Sequence, residues 1–134
     1  MAAVGLANIR SAFGPKETAD RLEAAIKAKG LTVFARIDHA AGAAAVDLPL
    51  RPTELLIFGN AKGGTPLMQA CQTIGIDLPL KALVWQDADG KTWLSYDDPA
   101  WLAQRHGIGD AGAATLATLT NLLAALSKTA TNTP

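Results

Sequence analysis

The chain has 134 residues, and its twelve Lys and Arg balance twelve Asp and Glu. A neutral chain gives no electrostatic reason to expect nucleic acid or an anionic membrane as partner. Nearly half the residues are apolar and 18% are charged, which suits one domain with one core that needs no staples. A single cysteine, Cys71, excludes an internal disulfide and a cysteine-rich metal site and fits a reducing compartment, so a cytoplasmic protein is expected. The opening MAAVGLANIRSAFG lacks an early positive charge followed by a long apolar run, so no secretory signal is expected. No stretch approaches the roughly eighteen unbroken apolar residues of a membrane span.

Residues 3–10 read as a first strand. Gly14-Pro15 then opens a helix: Pro15 suits the first helical position, and Glu17 complements the dipole. Ala19, Leu22 and Ile26 form one buried stripe. Lys16–Asp20, Glu17–Arg21 and Glu23–Lys27 stand at i,i+4 on the wet face, and Gly30 closes the helix. LTVFARIDH, 31–39, reads as a strand. HAAGAAAVDL follows as a short helix or turn that Gly42 weakens. The next strand is 54–58, and its apolar run Leu55 to Phe58 predicts that both faces are covered.

Residues 59–64 read as a glycine loop, followed by a helix over 65–72 with Thr65 as N-cap and Pro66 at the first position. KALVWQD and KTWLSYD flank Ala88-Asp89-Gly90. The D-x-D-G sequence predicts a hairpin turn ending in a left-handed glycine, with Trp85 opposite Trp93 and Ala82 opposite Tyr96. Asp98-Pro99 caps a short helix ending at His106-Gly107. A last helix over about 110–128 carries Leu116, Leu119, Leu123 and Leu126 at helical spacing, and 129–134 reads as a loose tail. The sum is one α+β domain over 1–128, a single mixed or antiparallel sheet with helices mainly on one face.

Three constellations carry chemistry. Gly59-x-x-x-x-Gly64-Thr65 sits between strand and helix as a phosphate loop would, but the lysine needed between the second glycine and Thr65 is missing. That leaves weak anion capture by exposed amides, or a connection that uses glycine for its backbone angles. His39, Met68 and Cys71 offer soft ligands for copper or another metal, against the reading that Met68 and Cys71 fill core space; His106 reads as a cation near a helix C-terminus. His39, Glu54, Asn60, Asp77, Lys81 and Tyr96 stand where the chain allows them to gather at one rim of the sheet. The bland alternative is a structural ion pair, Asp77–Lys81 or Glu54–Lys81, with Tyr96 as a core aromatic. Leu83, Trp85 and Trp93 share one hairpin face that needs cover, which a second copy of the chain supplies most often.

LEAAIKAKGLTVFARIDHAAGAAAV, LRPTELLIFGN, GTPLMQA and IDLPLKALVWQDADGKTWLSYDDPAWLAQRHGI together resemble the domain of unknown function family 302, over about 15–108. Ala61 stands where that family usually has proline, and Cys71 where it usually has a small or non-thiol residue. The resemblance implies a β-α-β-rich fold like the TATA-binding-protein arrangement and a homodimer. It supplies no catalytic residues, and fold analogy does not carry DNA binding.

The reading is therefore a soluble, homodimeric, non-catalytic module without a cofactor that binds a small polar or anionic ligand through His39, Glu54, Asn60, Asp77, Lys81 and Tyr96. The alternative is an enzyme with His39 or Glu54 as general base and Lys81 polarising a carbonyl. Metal binding is third.

Overall fold

A computed structural model describes residues 3–132. Five strands form one sheet in the order β1-β5-β4-β3-β2, every neighbouring pair antiparallel. They are β1 (Leu6–Arg10), β2 (Thr32–Asp38), β3 (Thr53–Gly59), β4 (Leu80–Gln86) and β5 (Thr92–Asp97). The helices are α1 (Pro15–Ala28), α2 (His39–Ala45), α3 (Ala61–Ala70), α4 (Pro99–His106) and α5 (Ala113–Thr131), with 3₁₀ segments at Gln72–Asp77 and Asp110–Gly112.

Alternation along the strands decides what each face is made of. Leu56 and Phe58 on β3 lie opposite Ala82 and Leu80 on β4, and Val84 lies opposite Leu94 on β5. These side chains are buried, with Leu56, Phe58 and Leu94 fully so. They pack with Leu22 and Ile26 of α1 and Leu119, Leu123 and Leu126 of α5 into one core. Burying each of the Val, Leu, Ile and Phe side chains contributes about 1.5–3 kcal/mol. The intervening residues, Leu55 and Ile57 on β3 and Leu83 and Trp85 on β4, point the other way and are only half-buried. The expected cover on both faces of β3 is therefore absent among the described residues: the run Leu55–Phe58 is continuous in sequence, yet helices cover one side.

The hairpin has the predicted register, with Trp85 opposite Trp93 and Ala82 opposite Tyr96. Gly90 takes φ +78. Asp87 Oδ1 accepts from the amides of Asp89 and Lys91, each at 2.9 Å, and Oδ2 accepts from Trp93 Nε1 at 2.9 Å. Gly5 is required for a different reason: at φ +75, a Cβ there would stand 2.3 Å from the Trp101 ring.

Two helix boundaries differ from expectation. Asn60, not Thr65, caps α3, its side chain accepting from the Gly63 amide at 2.8 Å. The helix therefore starts at Ala61 and carries Gly63, Gly64 and Pro66 inside it. Asparagine is a preferred cap, and with its side chain satisfying the Gly63 amide the helix begins there despite glycine's poor propensity. The glycine loop thus does not exist as a loop, and the phosphate-loop reading loses its geometry. At the other end, α5 runs through Thr131 rather than ending near 128. Ala130 and Thr131 are fully buried, the Thr131 carbonyl accepts from the Ala12 amide at 2.7 Å, and Arg21 donates to the Thr129 carbonyl. Arg21 is thereby drawn away from the expected pairing with Glu17. The supposed tail is a docked helical turn as far as Thr131; residues 133–134 lie outside the described residues.

The turn contacts hold the Asp87 carboxyl below the ordinary aspartate range, chiefly through Trp93 and then the Lys91 amide. A depressed carboxylate contributes stability that is present above its unfolded pKa and is lost as pH falls through the folded one. Thermal midpoints followed between about pH 4 and pH 2 should fall less steeply in Asp87→Asn than in the unmodified chain. Equal slopes would show that the turn contacts do not titrate with folding.

Candidate functional site

The six residues expected at one rim do not share one. Glu54 lies on the helix-covered face with Leu56 and Phe58, whereas Lys81, opposite Ile57, lies on the open face. Neither predicted ion pair of Lys81 forms. Its Nζ donates to the main-chain carbonyls of Asp77 and Pro79, each at 3.3 Å. Glu54 is held instead by Arg36, whose Nε donates to Oε1 at 2.6 Å, while Arg36 Nη1 reaches Asp20 at 2.8 Å and Glu23 at 3.7 Å. Burial works against the guanidinium charge, but the bonds from Glu54 and Asp20 leave the Arg36 pKa raised. Lys16 and then Arg36 hold the Asp20 carboxyl below its ordinary value. Lys16, Arg36, Asp38 and Glu54 border a charged cleft of about 500 Å³. A carboxylate bound by a guanidinium is poorly placed to act as a general base, and Lys81 across the sheet is not available as its partner.

His39 is the first residue of α2 and is exposed. It follows β2 at the end where β3 begins, and Asn60 follows β3 at the other end, roughly 20 Å away for a seven-residue strand. Tyr96 packs against the core from β5; burial, and then the charge of Asp98, raise its pKa. The proposed metal set is dispersed in the same way. Met68 is on α3, Cys71 has left the helix as its C-cap, and His39 belongs to the far end. Among the described residues, no three His, Cys, Asp or Glu side chains cluster as a metal site.

Asp77 has partners that lie far along the chain. Its Oδ1 accepts from Arg105 Nη1 at 2.8 Å, and its Oδ2 accepts from His106 Nε2 at 2.5 Å. His106 Nδ1 faces the Thr73 hydroxyl at 2.9 Å. Cys71 Sγ donates to the His106 carbonyl at 3.1 Å. This cluster ties the 3₁₀ segment Gln72–Asp77 to the C-terminal end of α4. His106 is therefore a bonded group and not merely a cation complementing the helix dipole.

An apolar concavity lies elsewhere, at the start of α3. It encloses about 590 Å³ between the end of β3, the first turn of α3, the segment Gly75–Leu80, and α5. Its walls are mostly apolar: Phe34 from the bulge in β2, Met68 from α3, Leu78, and Leu119 and Leu122 from α5. Polar groups are few: Asn60, Lys62, Thr65 and Thr118. Of the six predicted residues, Asn60 alone reaches it. Lys62 stands in the expected loop but belongs to the first turn of the helix.

The open face of the sheet is the second surface. Trp85 and Trp93 stack with centroids 6.3 Å apart and planes at 24°. Trp85 Nε1 donates to Ser95 Oγ at 2.8 Å, and Ser95 Oγ donates to Asn8 Oδ1 at 2.5 Å. The indole thus lies down over the sheet, and Ser95 beneath it is buried. Leu55, Ile57 and Leu83 continue the apolar surface, and Ile37 at its margin is 40% exposed.

Comparison with known proteins gives a family and a fold. The model of the family described as Domain of unknown function DUF302 matches residues 7–126. The crystal structure of an uncharacterized conserved protein DUF302 from Bacillus stearothermophilus superposes with a TM-score of 0.83 at 22% identity, covering 96% of this chain and 99% of that one. Two curated relatives are "Fluoride-specific ion channel FluC 1" of Brucella suis and "Fluoride-specific ion channel FluC 2" of Brucella melitensis. Each is 53% identical over 105 residues, 78% of this chain but only 41% and 39% of theirs. The chain thus spans about two-fifths of the length of the curated relatives it matches. Among its described residues, no helix is long and apolar enough to cross a membrane.

Proposed function

The chain belongs to the DUF302 family, and on that premise we propose that it is a homodimeric, non-catalytic module of a reducing, cytoplasmic compartment. It holds a small molecule in the cavity at the start of α3. The observation that carries this reading is the cavity itself. A volume of about 590 Å³, walled by apolar side chains with a few polar groups, is what a small-molecule site requires. The charged cleft around Arg36 is a weaker candidate, because its guanidinium is already bonded to carboxylates. Pairing of two copies through Leu83, Trp85 and Trp93 is supported by the chemistry of the open face. It is apolar at its centre and carries Asn8 and Arg10 toward the β1 edge, the arrangement of an interface core and rim.

A second reading draws on the relatives' names. The matched stretch contains no membrane-crossing helix among the described residues of this chain, whereas a channel needs spanning segments. The shared domain in those relatives would then be an appended unit beside the channel, and this chain would serve the same accessory role.

The cavity reading predicts saturable binding of one neutral apolar fluorophore, N-phenyl-1-naphthylamine, per chain. Leu122→Trp, which fills the cavity from α5, should weaken that binding about tenfold while circular dichroism and the thermal midpoint stay close to the unmodified chain. Undiminished binding by Leu122→Trp would move the site elsewhere. The accessory reading predicts that a strain lacking this chain grows more poorly in fluoride and recovers on complementation. Equal growth across a fluoride series would count against it.

A further inference from the structure

We infer that the ligand of the cavity at the start of α3 is an anionic amphiphile: an apolar body carrying one carboxylate, which Lys62 meets at the mouth. The inference rests on the reading of this cavity as a binding site and narrows it to a chemical class. Lys62 is the sole charged residue on the lining, and no Asp or Glu borders the space. Three other cations near the sheet are engaged by the protein itself. Arg36 is held by Asp20, Glu23 and Glu54, Arg105 by Asp77, and Lys81 by two main-chain carbonyls. Lys62 forms no ion pair among those found in the described residues.

The remaining polar groups on the lining point to the same end. Asn60 Oδ1 is occupied by the Gly63 amide, and the Thr118 hydroxyl donates to the Ala114 carbonyl. Asn60 Nδ2 and the Thr65 hydroxyl, one turn along the helix from Lys62, are neutral donors, so discrimination of a charged head falls to Lys62. Lys62 is exposed, so its ammonium stays hydrated and incurs no burial cost before a ligand arrives. The apolar lining, Met68, Leu78, Leu119 and Leu122 among it, offers hydrocarbon and sulfur to the body of the ligand. A flexible thioether among aliphatic side chains accommodates chains or rings of differing shape.

Decanoate and decanol share a tail and differ at the head, so the pair separates this inference from the reading beneath it. Each is titrated below its micellar concentration against the chain loaded with N-phenyl-1-naphthylamine. Decanoate should displace the fluorophore about fivefold more tightly than decanol, the scale of one exposed ion pair. That advantage should shrink in 1 M salt, where the screening length is about 3 Å. Lys62→Glu should reverse the preference while leaving decanol unchanged, and Lys62→Arg should restore it. Equal affinity of the two heads, or a preference that survives Lys62→Glu, overturns the inference and leaves a neutral apolar site. Failure of the fluorophore itself to bind the unmodified chain overturns the underlying reading, and this inference with it.

Discussion

Strand β4 runs down the middle of the sheet, and its register against β3 on one side and β5 on the other fixes the face on which nearly every residue of interest lies. In a strand, the side-chain period is two, so a slip of one residue would exchange the faces wholesale. Ala82 and Val84 face the helices and are buried; Lys81, Leu83 and Trp85 face outward. The same parity puts Glu54 among core residues, where Arg36 partners it, and leaves Lys81 to bond main-chain carbonyls. Helices α1 and α5 then close one side of the sheet, and none of the described residues closes the other.

Much of the architecture is legible from local chemistry. Asp87 and Gly90 announce the hairpin and its register, because a short loop ending in a left-handed glycine leaves little freedom in pairing. Pro15, Gly30, Asp98 and Gly107 mark helix ends through caps and backbone angles that depend only on near neighbours. The start of α3 is ambiguous in sequence because two capping residues, Asn60 and Thr65, compete within six positions, and glycines favour the later start by propensity alone. The extent of α5 is not legible locally because the partners of its last turn, Ala12 and Arg21, lie more than a hundred residues away.

The polar rim failed for a related reason. Its residues were grouped by their nearness to strand ends, but which end and which face each takes depends on the pairing of β3 with β4, and no turn between those strands specifies it. Parity offered part of the answer: Glu54 falls in step with Leu56 and Phe58, and Lys81 with Leu83 and Trp85. Asp77 is expected to pair with Lys81, but Arg105 and His106 reach its carboxylate from another helix. The cavity was beyond sequence reasoning altogether, since its walls come from β2, β3, α3, the 3₁₀ segment and α5. Lys62 was visible only as a lysine on the wrong side of a phosphate loop; its position on the lining became evident once that loop was seen to be helix.

One-sided cover of the sheet is the feature from which both functional surfaces follow. Helices on the closed side wall the cavity together with the end of β3, and the lack of helical cover on the other side among the described residues leaves Leu55, Leu83 and the two stacked tryptophans facing outward. A large apolar face of this kind calls for a partner, and a second copy is the one proposed. The most direct test is sedimentation velocity of the unmodified chain beside Trp85→Asp at micromolar concentration. The account predicts a species of about 28 kDa, twice the chain mass of 13.9 kDa, and a folded monomer or insoluble protein for the variant, because a carboxylate in an apolar interface is costly. A well-folded unmodified chain sedimenting as a single 13.9 kDa species would contradict it.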